Sequence, residues 1–219
     1  LIKTIQCEGV RVVGDPYEYA TKYDRDGIDE ILYLDVVASL YGRNSLGALL
    51  ERTAADVFTP ITVGGGIRSV GDVRELLRCG ADKVAVNTAA IERPGLITEL
   101  AMKFGSQAIV LQIDAKRKGQ GWEAYTHGAR QPTGRDAIQW AKEGIQRGAG
   151  EILVTSIDQE GTRRGCDIAL MAAIAGSVRV PVIASGGIGR NDHCRAAFYG
   201  EIDAIGQEGT RRGHGTDLL

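Results

Sequence analysis

Thr59-Pro60-Ile61-Thr62-Val63-Gly64-Gly65-Gly66-Ile67 is echoed 121 residues later by Val180-Pro181-Val182-Ile183-Ala184-Ser185-Gly186-Gly187-Ile188. Each copy is a proline, a short β-branched run and a glycine cluster, followed by a helix-like segment. The pattern reads as a buried strand entering a loop whose backbone can approach a ligand closely. Glycines let several N–H groups point into one concavity, and the next helix adds positive partial charge at its N-terminus. Together they suit a phosphate. A tight strand-to-helix turn also wants glycine, so one copy alone is ambiguous; two copies in register are harder to dismiss.

The same offset aligns Glu30-Ile31-Leu32 with Glu151-Ile152-Leu153, and Asp82 with Asp203. Strand-like and helix-like segments alternate along the whole chain. Strands are expected over 30–35, 61–63, 83–87, 108–114, 151–155 and 182–184, with a last one beginning at 203–205. Helices are expected over 16–26, 45–55, 70–79, 96–104, 135–147, 168–175 and 192–199. Asp15 and Pro16 supply the cap and first turn of the first helix, and Gly27 and Gly80 stop the first and third. A polar, hairpin-like insert is expected around 116–133. Roughly 25 residues per βα unit favours a (β/α)8 barrel built from two half-barrel repeats over an open dinucleotide-binding sheet. No G-x-G-x-x-G follows the first strand. The chain reads as one domain, 1–219.

Applied to 108–114, the offset places the counterpart strand before residue 1, so the barrel's first strand is expected to be absent. After Asp203 the last unit becomes Gln207-Glu208-Gly209-Thr210-Arg211-Arg212-Gly213, a copy of the run from Gln159 to Gly165.

A formal net charge of −2 argues against nucleic acid or a membrane surface as partner. No apolar run approaches a membrane span and no signal peptide opens the chain, so a cytoplasmic protein is expected. Cys7, Cys79, Cys166 and Cys194 form no C-x-x-C pair, and unbridged thiols are expected rather than disulfides or zinc. No cofactor or metal is expected. His127, His193 and His214 share no ligand spacing and read as surface histidines.

In a (β/α)8 barrel the active site lies at the C-terminal ends of the strands. Those ends carry Asp35, Gly64 to Gly66, Asn87-Thr88, Asp114, Thr155, Asp158 and Ser185 to Gly187. Two glycine loops half a barrel apart would grip a long molecule with a phosphate at each end, its reactive middle over the axis. Asp114 lies near that axis, where partial burial raises a carboxyl pKa toward proton-transfer range. A strand-end Asp also serves as a helix cap or structural acceptor, and for Asp35 and Asp114 both readings stand.

Asp35, the run Thr62 to Ile67, Asp82-Lys83-Val84, Asn87-Thr88-Ala89-Ala90, Gly105-Ser106-Gln107, Ile113-Asp114-Ala115-Lys116, Gly148-Ala149-Gly150-Glu151, Thr155-Ser156-Ile157-Asp158, Glu160-Gly161-Thr162 and Ala184-Ser185-Gly186-Gly187 together resemble the cyclase subunit family of imidazole glycerol phosphate synthase. The resemblance extends to about residue 205. It implies a duplicated (β/α)8 barrel that takes ammonia from a glutaminase partner. The ammonia would react with a bisphosphorylated formimino carboxamide ribotide, giving imidazole glycerol phosphate and aminoimidazole carboxamide ribotide.

By the same resemblance Asp114 is one of two catalytic aspartates, the other belonging to the absent first strand. Lys3 corresponds to a lysine of the first loop that reaches a phosphate. Gly65, Gly66, Asn87 and Thr88 correspond to one phosphate site, and Ser185, Gly186 and Gly187 to half of the other. Asp35, Thr155 and Asp158 correspond to substrate contacts, and Asp82 to the docking face for the glutaminase. Glu30, Lys83 and Glu151 correspond to a charged ring at the barrel's bottom that gates ammonia; a structural ion-pair cluster closing the barrel end is the competing account.

The opening Leu1-Ile2-Lys3-Thr4-Ile5 and the run Val36-Val37-Ala38-Ser39-Leu40-Tyr41-Gly42-Arg43 are also similar to paralogues that deliver ammonia for sugar amidation in surface-polysaccharide synthesis. A non-catalytic phosphate-binding scaffold is a third reading. The sister isomerase, which also has duplicated phosphate loops, ranks lower because the runs at Asp114 and Asp158 are cyclase-like.

Overall fold

The structure, a computed structural model, describes residues 2–12, 14–35, 46–199 and 204–206. The run from Val36 to Arg43, Asp203, the 207–213 copy and His214 lie outside the described residues.

The chain opens on an antiparallel hairpin, β1 (Ile2–Ile5) and β2 (Glu8–Val12). Helix α1 (Pro16–Arg25) follows, with the Asp15 carboxylate accepting from the N–H groups of Tyr17 and Glu18. Next come β3 (Ile31–Leu34), α2 (Gly47–Ala54), β4 (Ile61–Gly64), α3 (Val70–Arg78), β5 (Lys83–Val86), the short α4 (Thr88–Glu92) and α5 (Gly95–Phe104). Strand β6 (Ile109–Lys118) runs directly into an antiparallel extension, β7 (Gly121–Thr126) and β8 (Gln131–Asp136). The chain continues with α6 (Ala137–Gln146), β9 (Glu151–Ser156), α7 (Ile168–Ala175), β10 (Val182–Ser185), α8 (Asn191–Tyr199) and β11 (Ala204–Gly206).

Seven strands pair in parallel in the order β3-β4-β5-β6-β9-β10-β11, helices alternating with them as in a (β/α)8 barrel. Among the described residues β3 and β11 are the outer strands of this sheet.

The 121-residue offset holds for whole elements. It carries Pro16–Arg25 onto Ala137–Gln146, Gly47–Ala54 onto Ile168–Ala175, Ile61–Gly64 onto Val182–Ser185, and Val70–Arg78 onto Asn191–Tyr199. Even the caps match, since Asp136 accepts from Gln139 N–H as Asp15 does in its own helix. The offset also lays 2–12 over 123–133, making the opening hairpin the counterpart of the β7–β8 extension.

Parallel strands covered on both faces must be apolar on both, and β4 and β9 are buried almost throughout. On β6, Ile109, Leu111 and Ile113 join the large cluster formed with the helices, where Leu96, Ile97 and Leu100 of α5 and Trp140 of α6 also sit. The alternate residue Val110 joins a second cluster with Ala85 and Leu153, flanked by Leu32, Leu34 and Ile183. That second cluster is the barrel's interior.

One expectation needs correcting, and one element has no counterpart among the expectations. The insert at 116–133 is hairpin-shaped but not wholly polar: Trp122 and Ala124 are buried, with the indole donating to Asp167 Oδ2 at 2.9 Å. The opening segment is a paired strand, and its hairpin carries no turn signature in the sequence, since the turn residues Gln6 and Cys7 adopt φ of 52° and 62° without being glycine.

Candidate active site

Parallel pairing puts the C-terminal ends of all seven strands at one mouth. Asp35 follows β3, Gly64 closes β4, Asn87 and Thr88 follow β5, Asp114 lies on β6, Thr155 on β9, and Ser185 closes β10. Asp114 and Thr155 stand opposite each other in the β6–β9 ladder. In strand order β6 is two places from β4 and two from β10, so Asp114 lies midway between the glycine loops.

The Asp114 carboxylate is only 5% exposed. Asn87 Nδ2 donates to Oδ2 at 2.9 Å and Gln112 Nε2 donates to Oδ1 at 3.2 Å. Burial disfavours the charged form and pushes the carboxyl up to about 6, against the two amide donors, which pull it down. A group in that range gives and takes protons near neutrality. Among the described residues Asn87 Oδ1 is buried without a partner, an acceptor left at the mouth.

The two glycine loops are geometric counterparts. Gly65 and Gly66 have φ of 104° and 70°, and Gly186 and Gly187 have φ of 95° and 89°. A Cβ on Gly65 would fall 2.3 Å from the Asp35 carbonyl oxygen, and one on Gly187 would fall 2.1 Å from that of Gly165. Each loop thus lies flat against a neighbouring backbone, Asp35 N–H donating to Gly64 O and Gly165 N–H to Gly187 O. Helix α3 begins just beyond the first loop with a capping box between Ser69 and Asp72, and α8 occupies the same place after the second.

The remaining expected residues sit around this mouth. Thr88 Oγ1 accepts from His127 N–H at 3.0 Å, tying the start of α4 to the β7–β8 extension. Asp158 Oδ2 accepts from Arg117 N–H at 2.8 Å, so its carboxylate braces the base of that extension. Lys3 is on β1, paired with Arg11. Its hairpin is held against the loop after β9: Glu160 is buried, and its carboxylate accepts from Thr4 Oγ1 at 2.8 Å and Cys7 N–H at 2.6 Å.

At the opposite end of the strands, Lys83 Nζ donates to Glu30 Oε2 and to Glu151 Oε2, both at 2.8 Å. Thr62 Oγ1 donates to the other oxygen of Glu30. Burial pulls the Lys83 pKa down, but the hydrogen bonds and charges of Glu151 and Glu30 outweigh it and leave the ammonium above its ordinary value. The three charges expected together are together. Asp82 accepts from Ile61 N–H at 2.8 Å at the same end.

A family model described as "Histidine biosynthesis protein" matches residues 1–208. The chain is 58% identical over 191 residues to a Legionella pneumophila protein named imidazole glycerol phosphate synthase subunit HisF, covering 87% of this chain and 90% of that one. Proteins of the same name from Myxococcus xanthus and Mycobacteroides abscessus are 52% and 50% identical, over 93% and 94% of this chain and 81% and 82% of theirs. The chain belongs to the HisF family. It is the cyclase, or lyase, subunit of imidazole glycerol phosphate synthase in histidine biosynthesis. These relatives carry the name of the cyclase and not that of the polysaccharide paralogues.

One expectation at a HisF glycine loop is overturned. His193 is not a surface residue: it is 8% exposed, accepts from Gly189 N–H at Nδ1 over 3.2 Å, and packs beside Gly165. In the first turn of α8 Asp192 stays exposed while His193 turns inward behind the second loop and into that loop's support. Sequence alone does not mark Gln112 as part of the site. Its one signal was its place two residues before Asp114, on the same face of the strand.

Among the described residues no helix is long and apolar enough to cross a membrane.

Proposed function

We propose that ring closure takes place at the mouth between the two glycine loops, with Asp114 as general acid and base. The substrate would be the formimino carboxamide ribotide, one phosphate held at Gly65, Gly66, Asn87 and Thr88 and the other at Ser185, Gly186 and Gly187. Lys3 would close on a phosphate from the opening hairpin, and Asp35, Thr155 and Asp158 would flank the substrate. Ammonia from a glutaminase partner docked at the other end would pass Glu30, Lys83 and Glu151 and travel through the interior lined by Leu32, Ala85, Val110 and Leu153. The four cysteines, none in a disulfide, fit the reducing cytoplasm in which such a pathway would run.

The observation that carries this reading is the position of Asp114, buried and shifted toward neutrality, midway in strand order between two matching glycine turns. Backbone N–H groups exposed by turns of positive φ suit phosphate oxygens. A buried carboxyl near 6 suits a proton shuttle between them.

The deciding experiment follows the formimino ribotide with ammonium salts and detects imidazole glycerol phosphate. Product formed by the full-length protein and abolished in its Asp114→Asn variant, with substrate affinity largely kept, is expected. Turnover undiminished by Asp114→Asn would remove that residue from the chemistry.

A further inference from the structure

Strand alternation puts Val110, Gln112 and Asp114 on the inner face of β6, since Ile109, Leu111 and Ile113 pack outward against the helices. The inner face is otherwise apolar at this depth, with Leu32, Leu34, Ala85, Leu153 and Ile183 gathered around Val110. Gln112 is half-buried there, and the part of its amide shielded from water gains from a hydrogen bond. The Gln112 side chain reaches along its own strand and donates from Nε2 to Asp114 Oδ1 at 3.2 Å. Because the acceptor is a carboxylate, the chemistry fixes which end of the amide faces it. Asn87 occupies the other oxygen from β5.

We infer that Gln112 is a positioning residue for Asp114, holding Oδ1 from inside the barrel while Asn87 holds Oδ2. The consequence for the reaction rests on the reading of Asp114 as the proton-transfer group. Held at both oxygens, the carboxyl cannot swing about its last torsion, and its plane is fixed toward the mouth. Both donors are amides that stay neutral, so they orient the group without competing for its proton.

They also set how far burial can lift it, because each donor favours the ionised form. Of the charged groups around Asp114, Lys83 and Asp158 are otherwise engaged. Lys83 on β5 is bonded to Glu151 on β9 and to Glu30. Asp158 beyond β9 accepts from Arg117 N–H. Tyr125 on β7 is the ladder neighbour of Asp114, and Asp35 follows β3 at the same mouth.

The test is a carbon-13 NMR titration of the Asp114 carboxyl in the folded chain, with and without Gln112. In Gln112→Leu, close in shape and without a donor, the midpoint should rise by about half a unit, a threefold change in the ionised fraction on the acid side. In Gln112→Glu it should rise further, because a second carboxylate then faces the first. Ammonium-driven kcat/KM in Gln112→Leu should fall most toward acid pH, its acid limb moving up with the titration. An unmoved midpoint in Gln112→Glu, or in Gln112→Leu where that variant folds, overturns the inference. A midpoint that moves while Asp114→Asn still turns over would leave Gln112's hold on the carboxyl intact and defeat the catalytic reading instead.

Discussion

Asn87 and Asp114 meet across β5 and β6, the half-buried amide donating at 2.9 Å to Oδ2 of a carboxylate that is itself buried. Burial outweighs both amide donors there and lifts the carboxyl from an ordinary 3.8 to about 6. A raised folded-state pKa means that the native protein takes up a proton before the unfolded chain does. Asp114 therefore adds stability that is fully present below 3.8 and lost as pH rises through about 6. Asp114→Asn, which cannot ionise, should gain on the wild type between about pH 4 and pH 7.5, by at most about 3 kcal/mol. Urea denaturation of both proteins across that window measures it. A stability difference that ignores pH would show that the carboxyl titrates normally.

Lys83 is the hinge of the charged cluster at the opposite end, bonded to two carboxylates that face each other only through it. Lys83→Met should leave Glu30 and Glu151 repelling, at a cost of about 1–3 kcal/mol given their partial exposure. Glu30→Ala should lower glutamine-driven turnover, measured with the glutaminase subunit present, more than turnover with free ammonium. Equal losses in the two assays would make the cluster a structural closure and not a gate.

How far the sequence could be read depended on how local each signal was. The 121-residue echo spans glycine loops, strand starts and helix caps, all of which follow from residue type at fixed spacing, so the two half-barrels and the mouth were legible. Asp114 was legible because it ends an apolar run. Gln112 was not, since inside that run an amide has no periodic signature, and its meaning depends on Asn87 arriving from another strand. The burial of His193 was equally hidden, because it depends on the contact with Gly165, 28 positions earlier. The opening hairpin was readable only through the repeat: neither Gln6 nor Cys7 announces a turn, but the offset lays their neighbours over β7 and β8.

Glu160 fastens that hairpin. Both of its oxygens are used, one by Thr4 Oγ1 and one by Cys7 N–H, and Gln6 N–H donates to its carbonyl at 2.9 Å. Charge-assisted bonds to a buried carboxylate are among the stronger ones, about 1.5–3 kcal/mol each. Glu160→Ala should free the hairpin without melting the barrel. Amide hydrogen exchange should quicken at least tenfold over 2–12 and stay unchanged over β5 and β6. Exchange that rises everywhere would make Glu160 part of the global core.

The glycine loops offer a comparison between steric crowding and backbone strain alone. Gly65 and Gly119 both have positive φ, 104° and 59°, but a Cβ on Gly119 meets nothing within 4 Å while one on Gly65 would lie 2.3 Å from the Asp35 carbonyl oxygen. Gly119→Ala should therefore cost only the conformational penalty, about 1 kcal/mol. Gly65→Ala must in addition push the first loop away from Asp35 and out of its cradle. It should cost about 3 kcal/mol or more and weaken inorganic phosphate binding at least tenfold, measured by calorimetry on protein that remains folded. Equal phosphate affinity in the two variants would mean that the curvature of the Gly64 to Gly66 loop does not form the anion site.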